Sequence, residues 1–204
     1  MKKILIIGDS FAADWSVKNN NFPGWPNMLA NKYAVTNLAQ GGCSEYKILK
    51  QLVSVKTLDK YDVVIVSHTS PYRVYTRLHP IHYKDVLHKN ADLMLNDLVY
   101  HQSKLRNFFN ISLRSAINIF EKHFDQEYLE DIYRLLREKI NVILKDKKVI
   151  VLNNFEHSKE FCSEKVVLDF SDELKHNPGP VNHATQEINL KIFHHLEQYI
   201  DNDT

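Results

Sequence analysis

The stretch "ILIIGDSFAADW", Ile4 to Trp15, carries an apolar run that stops at Gly8-Asp9-Ser10. Four consecutive branched aliphatic residues suit a strand buried on both faces of a parallel sheet, which reads as a continuous apolar run and not as alternation. A glycine after such a strand lets the chain turn sharply and lets backbone approach a ligand. The acid and the hydroxyl that follow have two readings. One is a helix cap. The other is a nucleophile held at a strand end, its hydroxyl at the amino end of a following helix where N–H groups favour a developing anion.

Working outward, four further segments have strand character: "YAVTNLA" (33–39), "YDVVIVSH" (61–68), "KKVIVLNN" (147–154) and "KVVLDF" (165–170). Helical patterns separate them. "SEYKILKQLVSV" (44–55) opens on Ser44 as an N-cap, and "ATQEINLKIFHHLEQYI" (184–200) repeats Ile188, Ile192, Leu196 and Ile200 at helical spacing. Strands alternating with helices predict a three-layer α/β/α sandwich around a flavodoxin-like parallel sheet. The segment from about 80 to 146 contains no strand pattern and is long for one crossover, with "LEDIYRLLREKINVIL" (129–144) its clearest helix. It is read as a helical insertion within a single domain spanning 1–204. Three polar strand ends, Gly8-Asp9-Ser10, "LAQGGCS" (38–44) and "SHTSPYR" (67–73), then meet at the carboxyl edge of the sheet, where sites form in such folds.

Composition narrows the function. The 204 residues are 44% hydrophobic and 25% charged, with a formal net charge of +1. That balance offers no footprint for nucleic acid and no polybasic patch for a membrane surface. No apolar run is long enough to cross a bilayer. "MKKILIIGDS" has a five-residue apolar run ending at Asp9 and is read as a strand, not a secretory leader. Two cysteines, Cys43 and Cys162, demand no bridge, and a cytoplasmic setting is expected. Eleven histidines raise the question of a metal, above all His79, His82 and His88, but no paired Cys/His spacing of the zinc kind is present. Neither a dinucleotide fingerprint nor a phosphate-cradling loop occurs, so no metal and no cofactor are expected. Nothing in the sequence assigns an oligomeric state.

A serine nucleophile needs a base. His183, in "PVNHATQEINLKI" just before the last helical pattern, is the candidate, and Gly42 offers a backbone N–H to an oxyanion. At these positions the chain resembles the SGNH, or GDSL-type, hydrolases. Their first block is a strand leading into Gly-Asp-Ser, matched by "ILIIGDS" with Ser10 as nucleophile. Their second block is an asparagine with a glycine five residues on, matched by Asn37 and Gly42 in "NLAQGG". Their last block carries the catalytic histidine before the final helix, matched by His183. Two blocks depart from the pattern. "SHTS" (67–70) stands where Gly-x-Asn-Asp is usual, so that Thr69 takes the place of the oxyanion asparagine. Pro180 stands three residues before His183, where an aspartate is usual. "ELKH" (173–176) offers a rival pair, Glu173 and His176.

The resemblance implies an ester hydrolase acting on a small-molecule or carbohydrate ester. Ser10 attacks, His183 carries the proton, and the N–H groups of Ser10 and Gly42 hold the oxyanion together with Thr69. Asp9 is expected to stabilise the turn, and a backbone carbonyl is expected at the outer nitrogen of His183, failing Asp172 or Glu173. Asp9, Asn37, Ser70, Tyr72 and Arg73 are candidates for the substrate side, with 70–75 and the start of the insertion lining the site. Trp15 and Trp25 are expected to be packing residues, and Cys43 a small buried thiol. Two alternatives stand beside hydrolysis: acyl transfer to a sugar hydroxyl, and a catalytically impaired relative serving as a binding module.

Overall fold

The computed structural model describes residues 1–16, 22–104, 107, 109–155 and 167–202. Five strands, β1 (Lys3–Gly8), β2 (Ala34–Asn37), β3 (Val63–Ser67), β4 (Lys148–Asn153) and β5 (Val167–Asp169), form one parallel sheet in the order β2-β1-β3-β4-β5. This is the expected α/β sandwich. The strand expected at 165–170 is present as Val167–Asp169, and residues 165–166 lie outside the described residues.

Alternation along each central strand assigns the two faces. Ile4 and Ile6, Val63 and Ile65, and Ile150 and Leu152 point to one side, where α1 (Trp25–Ala30) and α7 (Gln186–Asp201) cover them. Leu5 and Ile7, Val64 and Val66, and Val151 point to the other, under α2 (Glu45–Val53) and α5 (Gln126–Leu144). The apolar run of β1 is thus continuous because both faces are covered.

The 80–146 segment divides. α3 (Leu95–Gln102) and α4 (Ile111–His123) share a small core of their own, Leu98, Leu113, Ala116, Ile117 and Phe120. α5 does not belong to it: its Ile140 and Leu144 pack on the sheet, making it the crossover helix into β4. The added part is therefore shorter than expected, because the longest helical pattern is a layer of the sandwich. A short helix, α6 (Ser171–His176), precedes α7.

β1 ends in close quarters. A Cβ on Gly8 would stand 2.6 Å from Ser67 Cβ and 2.7 Å from its carbonyl oxygen, so only glycine fits. Beyond the β2 pairing, Gln51 of α2 takes over the ladder: Gly8 N–H donates to its Oε1 at 2.8 Å, and its Nε2 donates to Gly8 O at 3.0 Å. Gly8 O also receives Gln40 N–H, whereas Gln51 is the acceptor for Gly8 N–H. Replacing Gln51 by alanine leaves that buried donor unpaired, and urea denaturation should register a loss of about 2 kcal/mol.

Candidate active site

The strand order reverses between β1 and β3, and the crevice beyond their carboxyl ends is where such sheets hold ligands. Asp9 and Ser10 leave β1 there and Ser67–Ser70 leave β3. Ser10 does not begin a helix, contrary to expectation. It sits in a turn closed by Ala12 N–H on Asp9 O (3.2 Å), and Asp9 Oδ1 accepts Phe11 N–H (3.0 Å). Asp9 thus braces the turn from within.

Every carbonyl from Asp9 to Ala13 has a donor. Ser10 O receives the Trp15 indole N–H (2.9 Å) and Asn182 Nδ2 (3.4 Å). Phe11 O receives the Trp25 indole (2.9 Å), Ala12 O receives Asn37 Nδ2 (2.8 Å), and Ala13 O receives Asn182 Nδ2 (2.9 Å). Both tryptophans therefore do more than pack. Asn37 uses its remaining oxygen on Ala39 N–H (3.0 Å), so its whole amide is structural. In contrast, the N–H groups of Ser10 and Gly42 donate to no acceptor among the described residues. Gly42 has φ +71°, a left-handed conformation that suits glycine.

His183 arrives on a tight turn. Val181 and Ala184 form an isolated antiparallel bridge, Ala184 N–H meets Val181 O at 2.9 Å, and Asn182 (φ +51°) and His183 (φ +56°) are both left-handed. Two positive φ values at the centre of a turn mark the I′ type, which prefers Asn and then Gly. His183 thus occupies a position where glycine would be cheaper by about 1 kcal/mol. Its ring lies against Phe11 (centroids 4.6 Å apart) and edge-on to Trp15 (5.5 Å), beside the Ser10 turn. Among the described residues, it makes no hydrogen bond to Ser10 Oγ, to a carboxylate or to the expected backbone carbonyl. The rival pair is elsewhere: His176 is exposed and bonded to the Asp172 carbonyl (2.8 Å), while Glu173 pairs with Lys191.

The third strand end is held by a buried pair the sequence reading did not find. Glu45, at the start of α2, meets His68 Nδ1 at 2.6 Å and accepts Thr69 N–H at 3.4 Å. Thr69 is fully buried; its hydroxyl lies close to the Asp9 carboxyl without a well-formed hydrogen bond. Ser70 Oγ accepts Tyr72 N–H (3.3 Å), and Tyr72 is turned towards α5, where its hydroxyl bonds Glu130 (2.7 Å). Arg73 stays at the site, donating to Gly42 O (3.0 Å) and to Met94 Sδ (3.5 Å). Beyond Arg73 opens an apolar cavity of about 440 Å³, lined by Tyr46, Pro71, Val74, Leu129 and Ile132 but not by Ser10. Cys43 is a free, fully buried thiol bonded to Gly8 O (3.3 Å); burial raises its pKa well above the usual value, which makes it a poor nucleophile. Cys162 lies outside the described residues.

The sequence matches no known protein-family profile and no curated protein. Among solved structures, a mutant of an acetyl-xylooligosaccharide esterase from Geobacillus stearothermophilus is 15% identical, with a TM-score of 0.50 over 99% of this chain and 95% of that one. The chain has the fold of that esterase. A lipase/acylhydrolase from Enterococcus faecalis is 13% identical, with a TM-score of 0.48 over 98% of this chain and 95% of its own.

Burial sets the charge states. It raises the Asp9 carboxyl to about 7 against the opposing pull of Arg73 and the Phe11 N–H. Burial, with the His88 and Arg73 charges nearby, lowers His183 to about 4. For Asp9 the native value exceeds the ordinary 3.8, so the folded state keeps a proton that the unfolded state loses. Stability from this group therefore falls as pH rises from about 4 to about 7 and is flat above. Asp9→Asn keeps the acceptor for Phe11 and removes the titration. Relative to the parent, the variant should gain on the order of 2–3 kcal/mol between pH 5 and pH 8, measured by denaturant unfolding at both.

Proposed function

We propose that the protein is an ester hydrolase working through a serine acyl-enzyme, with Ser10 as nucleophile and His183 as base. The observation that carries this reading is the Ser10 turn. All its carbonyls are capped, while the N–H groups of Ser10 and Gly42 are left over and an imidazole lies against the same turn. Left-over N–H groups at a strand end serve a developing oxyanion. Arg73, fixed to Gly42 O, adds positive charge beside them.

Ser10 Oγ attacks the ester carbonyl carbon and passes its proton to His183. The tetrahedral oxyanion is held by the two N–H groups, with Thr69 lending its hydroxyl. His183 then protonates the leaving alkoxide, and water repeats the sequence on the acyl-enzyme. Apo geometry is often looser than that of the substrate complex, and the mechanism requires the 181–184 turn to close the imidazole onto Ser10. Burial of Ser10 and the aromatic walls of Phe11 and Trp15 favour a short acyl group, on a small-molecule or carbohydrate alcohol.

One observation favours a second reading, a binding module with impaired catalysis: among the described residues, His183 makes no hydrogen bond to a carboxylate, and burial opposes the charge it must acquire. A serine-reactive phosphonate with peptide mapping separates the two. An adduct on Ser10 is the expected result, and no adduct on the folded protein rejects the enzyme. Ser10→Ala should abolish both labelling and hydrolysis of an activated acetyl ester, a fall of several orders of magnitude. His183→Asn, which the left-handed backbone accepts, should keep the fold by circular dichroism and lose at least about a thousandfold in kcat. The depressed pKa keeps the imidazole unprotonated to lower pH, so the acid limb of kcat/KM should be centred near pH 4 instead of the ordinary 6.5.

A further inference from the structure

α2 and α5 each lead into the amino end of a strand, β3 and β4, so both begin at the carboxyl edge of the sheet, where Ser10 lies. Their amino-terminal portions and the 71–75 loop enclose the apolar cavity of about 440 Å³. Leu129, Ile132 and Leu136 line it from α5, Pro71 and Val74 from the loop. Three tyrosines belong to its wall and stay open to solvent: Tyr46 is 39% exposed, Tyr75 50% and Tyr128 59%. The rings of Tyr46 and Tyr75 meet edge-on at 5.0 Å. Exposed apolar surface gathered around a cavity marks a ligand site more often than a bare face.

The end of the cavity nearest Ser10 is polar. Ser44 follows Gly42 by two residues and Pro71 follows Thr69 by two, and two residues span at most about 7 Å. Arg73 joins the two spaces, lining the cavity while it donates to Gly42 O at 3.0 Å. Ser44 precedes α2 without a side-chain cap bond, and among the described residues its buried Oγ has no hydrogen-bond partner; nor has the buried Nε of Arg73. The cavity thus begins polar beside the oxyanion donors and continues apolar away from them.

We propose that this cavity receives the alkyl chain of the ester's alcohol. The inference rests on the hydrolase reading above and narrows its substrate to a short acyl ester of an apolar alcohol. The order of polarity fits: the ester group lies at Ser10 and Gly42, and the chain runs past Arg73 between α2 and α5. The volume falls within the usual range of small-molecule pockets, about 300–1,000 Å³. A carbohydrate alcohol would press hydroxyls against Leu129, Ile132 and Leu136, stripped of water and without partners. With a short acyl group at Ser10, the alcohol is the half of the ester long enough to reach the cavity.

Acetate esters of ethanol, butanol, hexanol and octanol share one acyl group and have leaving alkoxides of nearly equal basicity, so the chain alone separates their rates. kcat/KM should rise about two- to fourfold for each added methylene until the cavity is full. Leu129→Trp, which fills the space, should cut the octyl-to-ethyl ratio at least about tenfold, whereas Val142→Ala, on α5 but outside the cavity, should keep it. If Leu129→Trp does not fold, Ile132→Trp at the exposed rim carries the same test. Calorimetric titration of the Ser10→Ala protein with 1-octanol reads the cavity without chemistry. One saturable site is expected, weakened at least about tenfold when Leu129→Trp is added. A parent that binds 1-octanol at this site but hydrolyses no ester rejects the hydrolase and supports the apolar site. A flat alkyl series on an active enzyme, or octanol affinity unchanged in the folded variants, overturns the cavity assignment and leaves the hydrolase. A rise along ethyl esters of longer acids in place of the alkyl acetates overturns the assignment to the alcohol.

Discussion

An irregular turn buried at the end of a central strand must find a donor for each of its carbonyls, since water cannot reach them. The turn from Asp9 to Ala13 meets this condition with two indoles, two asparagine amides and one backbone N–H. Much of the local architecture follows. β2 must end where Asn37 reaches Ala12, α1 must begin where Trp25 reaches Phe11, and the 181–184 turn must approach closely enough for Asn182 to bridge Ser10 and Ala13. That last requirement also delivers His183 to the site.

The neighbouring strand ends are held by the same kind of buried polar clamp. Gln51 completes the ladder at Gly8, Glu45 anchors His68 and Thr69, and Asn154 donates to Ser67 Oγ at 2.8 Å. Each would be a liability in an apolar core without its partner. Together they hold the ends of β1 and β3 in place, while among the described residues the N–H groups of Ser10 and Gly42 donate to no acceptor.

Much of this was legible in the sequence. Period and run length located all five strands and the helices α2, α5 and α7, because each buries an extended apolar face. α1 was not recognised: six residues with a proline in the first turn carry too little pattern. The boundary of the added segment was misread because α5 has the same amphipathic signature whether it packs on helices or on the sheet. Around the site, Ser10, Gly42 and His183 stood out by local context, whereas Glu45, Gln51 and Asn182 act through contacts far apart in sequence, which no spacing encodes.

The Asn182 bridge spans sequence separations of 172 and 169 residues to Ser10 and Ala13. Such contacts between distant parts of the chain raise its contact order. The turn that follows β1 acquires its final support only when the 181–184 turn docks, and α7, which follows that turn directly, closes the face of the sheet that Ile4 and Ile6 present. Local opening of that docked turn would release the Ala13 carbonyl, leave Ser10 O to the Trp15 indole alone, and withdraw His183 in one motion. Organisation of this edge of the sheet is therefore coupled to completion of the fold: the segment that braces the Ser10 turn leads straight into the helix that closes one face of the core.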